Sequence, residues 1–89
     1  MDIIKGKDCF YIENEGNKIG EITYYLKEGR IIIDHTYVNP DFRGHGLARK
    51  LVDAVVNKAR AENLMIEPHC SYAVKVLFEE KYSDILFKK

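Results

Sequence analysis

Alternation of apolar and polar positions fills the first half of the chain. Residues 8–13 (DCFYIE) make a short strand, closed by the turn Asn14-Glu15-Gly16-Asn17. Over residues 18–27 the period is two: Ile22, Tyr24 and Leu26 fall on one face, and Glu21, Thr23, Tyr25 and Lys27 on the other. Glu28-Gly29 is a tight-turn signal, and residues 30–38 (RIIIDHTYV) are β-branched and aromatic, a third strand. Short glycine turns between such runs predict an antiparallel meander.

Asn39-Pro40-Asp41 breaks the pattern, and the period then changes from 2 to 3.6. Leu47, Ala48, Leu51, Val52, Val55 and Ala59 form an apolar stripe, opposite Arg49, Asp53, Asn57 and Arg60, with Arg49 and Asp53 spaced to pair. The stripe predicts a helix over about 44–62, ending at Asn63 in a left-handed cap. Residues 64–68 (LMIEP) read as a strand, and Ser71 as the cap of a second helix over about 72–80. The last residues, with Tyr82, Ile85, Leu86 and Phe87, fit neither period. Strand, long helix, strand is a βαβ crossover, whose strands run parallel with a right-handed connection. The expected fold is therefore mixed α/β: an antiparallel meander followed by a βαβ crossover, with two helices in all.

Composition narrows this little but usefully. Eighty-nine residues suffice for one domain, so residues 1–89 are read as a single unit. At this size folding buries only about 60–65% of the unfolded chain's surface, so the core is thin. Ten aromatic residues (six Tyr and four Phe) spread along the chain argue against disorder. Lys plus Arg balances Asp plus Glu at 14 each, which gives no general pull toward nucleic acid or an anionic membrane. No segment approaches the ~20 apolar residues needed to span a bilayer. Two cysteines, Cys9 and Cys70, are too few for a disulfide framework, and no secretory leader is legible at the N-terminus. A reduced, cytoplasmic protein is expected.

The candidate chemistry sits where the period changes. Residues 41–51 (DFRGHGLARKL) place Gly44 and Gly46 at the start of the long helix, where glycine is normally avoided because it costs roughly 1 kcal/mol against alanine. The first four amides of a helix have no internal partner, and the helix dipole adds positive charge there, which makes an anion site. Glycines would let a phosphate approach the backbone, and Arg43, Arg49 and Lys50 would add charge. The plain alternative is a turn that merely lets strand and helix pack closely. The stretch is not a Walker loop, which ends in Lys-Ser/Thr, nor a dinucleotide fingerprint, whose third glycine position is here Arg49.

Arg43-x-x-Gly46-x-Ala48 resembles the pyrophosphate motif of the GNAT acetyltransferases, Gln/Arg-x-x-Gly-x-Gly/Ala, which binds coenzyme A. His35-Thr36-Tyr37-Val38 before the loop, Gly44-His45-Gly46-Leu47-Ala48 within it and Pro68-His69-Cys70 after the next strand are similar to a short GNAT-like subfamily with His-Thr-x-Val, Gly-x-Gly and Pro-x-Cys motifs. The matching positions run from about 31 to 82. The resemblance implies acetyl-CoA as donor or ligand, held by the backbone of Thr36, Tyr37 and Val38 and by Arg43, Gly44, His45, Gly46, Leu47, Ala48 and Arg49. It implies transfer of an acetyl group to an unidentified amine or protein acceptor. Full-size members build much of the acceptor site from parts that are short here, so a non-catalytic acetyl-CoA or CoA-binding module is the alternative.

Two side chains could take part in transfer. His35 could accept a proton, as an imidazole can; by alternation it shares a face with Ile31, Ile33 and Tyr37, and could equally be a half-buried sheet histidine. Cys70 precedes a predicted helix and follows His69, a setting that favours thiolate, although most free cysteines simply pack. Cys9 is assigned to packing. His35, His45, His69 and Cys70 lack the paired spacing of metal ligands, so no metal is expected.

Overall fold

The computed structural model describes residues 2–88. Five strands form one sheet in sequential order: β1 (Ile3–Gly6), β2 (Cys9–Asn14), β3 (Asn17–Lys27), β4 (Arg30–Val38) and β5 (Met65–Pro68). The first four pair antiparallel, and β4 pairs parallel with β5 across helix α1 (Leu47–Glu62). Helix α2 (Ser71–Leu77) and a 3₁₀ turn, Glu80–Tyr82, follow β5. Meander, crossover and two helices are thus as the periodicities predict. β1 is an addition: Ile3-Ile4-Lys5-Gly6 is too short to show a period, and its pairing with Cys9–Ile12 makes it a strand.

Turn chemistry sets the register. At the β2–β3 hairpin Glu15 (φ 52°) and Gly16 (φ 80°) both take left-handed backbone, the conformation whose twist matches paired antiparallel strands. Asn14 and Asn17 close that turn. α1 lays Leu51, Val52, Val55, Val56 and Ala59 on one face of the sheet, against Ile12, Ile22, Ile31, Ile33 and Ile66. Leu26, expected beside Ile22 and Tyr24, lies outside this cover and is 62% exposed.

Several boundaries move for identifiable reasons. α1 starts at Leu47 rather than near 44, because Gly44 (φ 87°) and Gly46 (φ 74°) are left-handed and cannot be helical turns. Asn63 ends it in the left-handed conformation expected. α2 is capped by Cys70, not Ser71, and stops at Leu77. Arg49 and Asp53 do not pair: Arg49 is bound to Glu79, and Asp53 accepts a 2.6 Å hydrogen bond from the Tyr82 hydroxyl. Burial first, and the Asp53 carboxylate second, hold that phenol above its ordinary pKa. The chain's end, unreadable by period, buries Tyr82 and Ile85 and joins Leu86 to Ile66 beside β5. No helix among the described residues is long and apolar enough to cross a membrane.

Candidate active site

The site begins where β4 and β5 part. Their ladder ends at Ile33–Pro68, with the His69 amide donating to the Ile33 carbonyl at 2.8 Å. β4 runs on to Val38 beside β3 alone. The Asn39 amide donates to Ile19 of β3 at 2.7 Å. Backbone alternation therefore turns the Thr36 and Val38 amides the other way, into the gap.

A tight turn then swings the chain across the end of the gap. Asn39 Oδ1 accepts from the Asp41 amide at 2.9 Å and starts the 3₁₀ turn Pro40–Phe42. Arg43 folds back so that its Nε donates to the Val38 carbonyl at 3.0 Å. Gly46, at the N-cap, offers no capping side chain, so the first-turn amides of α1 are left open to whatever lies beyond. A cleft of about 360 Å³ lies there, lined by Thr36, Val38, Phe42, Arg43, Gly44, Gly46, Leu47, Ala48 and Tyr72. A Cβ built on Gly44 or Gly46 would meet nothing within 4 Å. The glycines therefore serve two ends at once: a backbone conformation other residues resist, and an unobstructed cleft wall.

Seven of the sequence-predicted residues meet at this cleft: Thr36, Val38, Arg43, Gly44, Gly46, Leu47 and Ala48. Tyr37 alternates to the other face of the sheet and is 43% exposed. His45 is exposed and does not line the cleft. Arg49 is held by Glu79 through two bonds of 2.6 and 3.2 Å, a pairing that raises the guanidinium's pKa and lowers the carboxylate's. Phe42 and Tyr72 line the cleft without having been singled out by sequence. The signal for Phe42 was its place directly before the glycine loop; Tyr72 is brought by α2 and had none. Burial keeps the Tyr72 phenol above its ordinary pKa, so it meets the cleft as a neutral hydroxyl.

His35 is not where alternation puts it. The ladder shifts between Thr23 and Tyr24, which pair with His35 and Ile33, so Asp34 is the extra residue of a bulge. Beyond it the faces exchange. Thr36 and Val38 join Ile31 and Ile33 on the α1 side, while His35 is exposed on the opposite face with Tyr37. Cys70 remains on the α1 side: its Sγ lies 3.1 Å from Thr36 Oγ1 and accepts from the Ala73 amide at 3.4 Å. Cys9 lies on β2, opposite Thr23. Among the described residues no three metal-ligating side chains stand together.

The family model for GCN5-related N-acetyl-transferase matches residues 9–85. The chain belongs to this family. Its fold agrees with that of a GCN5-like candidate N-acetyltransferase from Staphylococcus aureus, at 38% identity and a TM-score of 0.80, over 99% of this chain and 89% of the other. A ribosomal-protein-alanine N-acetyltransferase from Brucella melitensis biovar Abortus 2308 is similar at 25% identity and a TM-score of 0.61, over 79% of this chain and 59% of that one. The fold is also shared with N-acetylglutamate synthase from Neisseria gonorrhoeae, solved with coenzyme A and N-acetyl-glutamate, at 19% identity and a TM-score of 0.60, over 66% of this chain but 15% of that enzyme. No curated protein sequence gives a significant match. The family match thus takes in nearly the whole chain, which itself spans only a portion of the larger enzymes.

Proposed function

We propose that this chain binds acetyl-CoA in the cleft between β4 and α1 and passes the acetyl group to an amine. The observation that carries the reading is the conjunction of the gap-facing Thr36 and Val38 amides with the uncapped, glycine-flanked start of α1. The diphosphate would take the first-turn amides of α1, which the helix dipole makes favourable for anions, with Arg43 at the cleft wall. The pantetheine arm would lie along β4 like an added strand. A backbone amide there would polarise the thioester carbonyl and stabilise the oxyanion that develops on attack. His45 would serve only from the rim, and Arg49 only on leaving Glu79. Family membership, and the presence of coenzyme A in the structure of the gonococcal synthase that shares this fold, support the ligand assignment. The acceptor would be a small amine or an amine on a protein.

Cys70 would lie within reach of the thioester, since its sulfur touches Thr36 of the cleft wall. Thiol–thioester exchange is nearly balanced, so an acetyl-cysteine needs only proximity and some thiolate. Incubation with acetyl-CoA followed by intact-mass analysis tests both parts of the reading. Expected are a gain of one acetyl group mapped to Cys70, its loss in Cys70→Ser, and continuous CoA release once amines are added. Adduct formation on Cys9 would contradict the role given to Cys70. Saturable binding with neither adduct nor CoA release would instead support the non-catalytic binding module.

A further inference from the structure

We propose that His69 is the catalytic base that takes the proton from the attacking amine, with Glu67 orienting its ring and Arg30 fixing Glu67. The inference rests on the acetyl-transfer reading above and adds the residue that activates the acceptor. Glu67 of β5 stands in register with Ile32, on the sheet face opposite α1. One of its carboxylate oxygens receives Arg30 Nε at 3.1 Å, and the other contacts His69 Nε2. Arg30 is itself held, its guanidinium 4.1 Å from the centre of the Phe87 ring. Arg30 and Glu67 side chains are only 16% and 12% exposed, whereas that of His69 is 47% exposed. The pair is therefore a fixed carboxylate with an accessible imidazole at its end.

Position gives this pair a use. The His69 amide makes the last bond of the β4–β5 ladder, so its backbone stands where the gap opens, and its ring, turned toward Glu67, lies on the face opposite α1. The next residue, Cys70, faces the α1 side and touches Thr36. A thioester entering from the α1 cleft would thus lie between Cys70 in front and His69 behind. With the donor filling the front, an acceptor would arrive from the face that carries His69. His35 is on that face too, but its ring has no hydrogen-bonding partner among the described residues to fix its tautomer.

The carboxylate accepts hydrogen bonds only, so Nε2 carries the proton and the Nδ1 lone pair is left to act. The amine nitrogen attacks the acetyl carbon, forming the C–N bond, and its proton passes to Nδ1. The C–S bond then breaks with its electron pair going to sulfur. Solvent protonates the released thiolate and takes up the proton from His69.

The test compares wild type, His69→Ala, Glu67→Gln and His35→Ala with acetyl-CoA and two probe acceptors, spermidine and a blocked lysine peptide. For His69→Ala, kcat should fall at least tenfold, a general base being worth roughly 100-fold or more in many enzymes. Acetyl-CoA Kd should stay within about twofold, and added imidazole should restore part of the rate. Glu67→Gln should lose kcat in the same direction, and ring nitrogen NMR of the free protein should show His69 protonated at Nε2. A His69→Ala rate equal to wild type, a loss that imidazole does not rescue, a larger loss in His35→Ala, or an Nδ1-protonated ring would each overturn the assignment. So would a wild type that binds acetyl-CoA yet releases no CoA with either amine, leaving the binding reading intact. Failure to bind acetyl-CoA at all would overturn both.

Discussion

Gly46→Val is expected to raise the Kd for acetyl-CoA more than about 100-fold, some 2.7 kcal/mol. Two effects add. The first is backbone strain: φ at Gly46 is 74°, and a side chain in left-handed backbone costs about 1–2 kcal/mol, more when β-branched. This exceeds the simple helix penalty that a glycine inside a helix would carry, because Gly46 is the cap and not a helical residue. The second is occupancy. The new methyls would meet no protein atom near Cβ, so they would stand in the cleft proposed to take the phosphates. Asparagine tolerates left-handed backbone, and Gly46→Asn separates the two effects: it should keep most of the stability and still weaken binding. Calorimetric titration beside urea unfolding measures both quantities. A folded Gly46→Val protein with wild-type affinity would contradict the placement of the anion site.

Leu51→Ala is expected to cost about 3 kcal/mol of folding stability and lower Tm by roughly 15 °C. Leu51 is fully buried in the N-terminal half of α1. It lies over Gly20 of β3, where a Cβ would come within 3.4 Å of Leu51 Cδ1 and 3.3 Å of the Tyr37 carbonyl oxygen. So close an approach of helix to sheet cannot relax much around a lost isobutyl group, and a cavity would persist. Stability for a domain of this size is about 5–10 kcal/mol, so the loss is a large share. Because α1 carries the cleft wall at Leu47 and Ala48, acetyl-CoA should bind more weakly to the loosened protein and should raise its Tm. Thermal and urea unfolding with and without ligand check this. A loss below 1 kcal/mol would mean that α1 is seated on the sheet differently.

What the sequence revealed depended on how local each cause was. The α1 stripe and the β3 alternation are period effects within one segment, and they set those elements to within a few residues. The glycine loop was legible because glycine in that place had a local cost needing explanation. The bulge at Asp34 was not legible, since it is a two-against-one pairing between β3 and β4 that requires no special residue. Its consequence was large: it carried His35 away from Ile31 and Ile33 and brought Thr36 to the α1 side. The Arg49–Asp53 pairing failed for a similar reason, as the partner Arg49 takes instead, Glu79, is 30 residues distant in sequence. Glu67, on β5, and His69, just past its end, were open to recognition as a same-face pair. Arg30, which completes their network, is 37 residues from Glu67 and comes together with it only through the crossover.

In the proposed complex acetyl-CoA occupies the cleft where β4 leaves β5 and α1 begins. Titration of the labelled protein with acetyl-CoA, followed by amide NMR, tests this placement most directly. Saturable binding is expected, with the largest shifts at Thr36, Val38 and residues 43–49, smaller ones at Cys70 and Tyr72, and little change along β1 and β2. Absence of saturation, or largest shifts on β1, β2 or the Tyr25 face of the sheet, would contradict it.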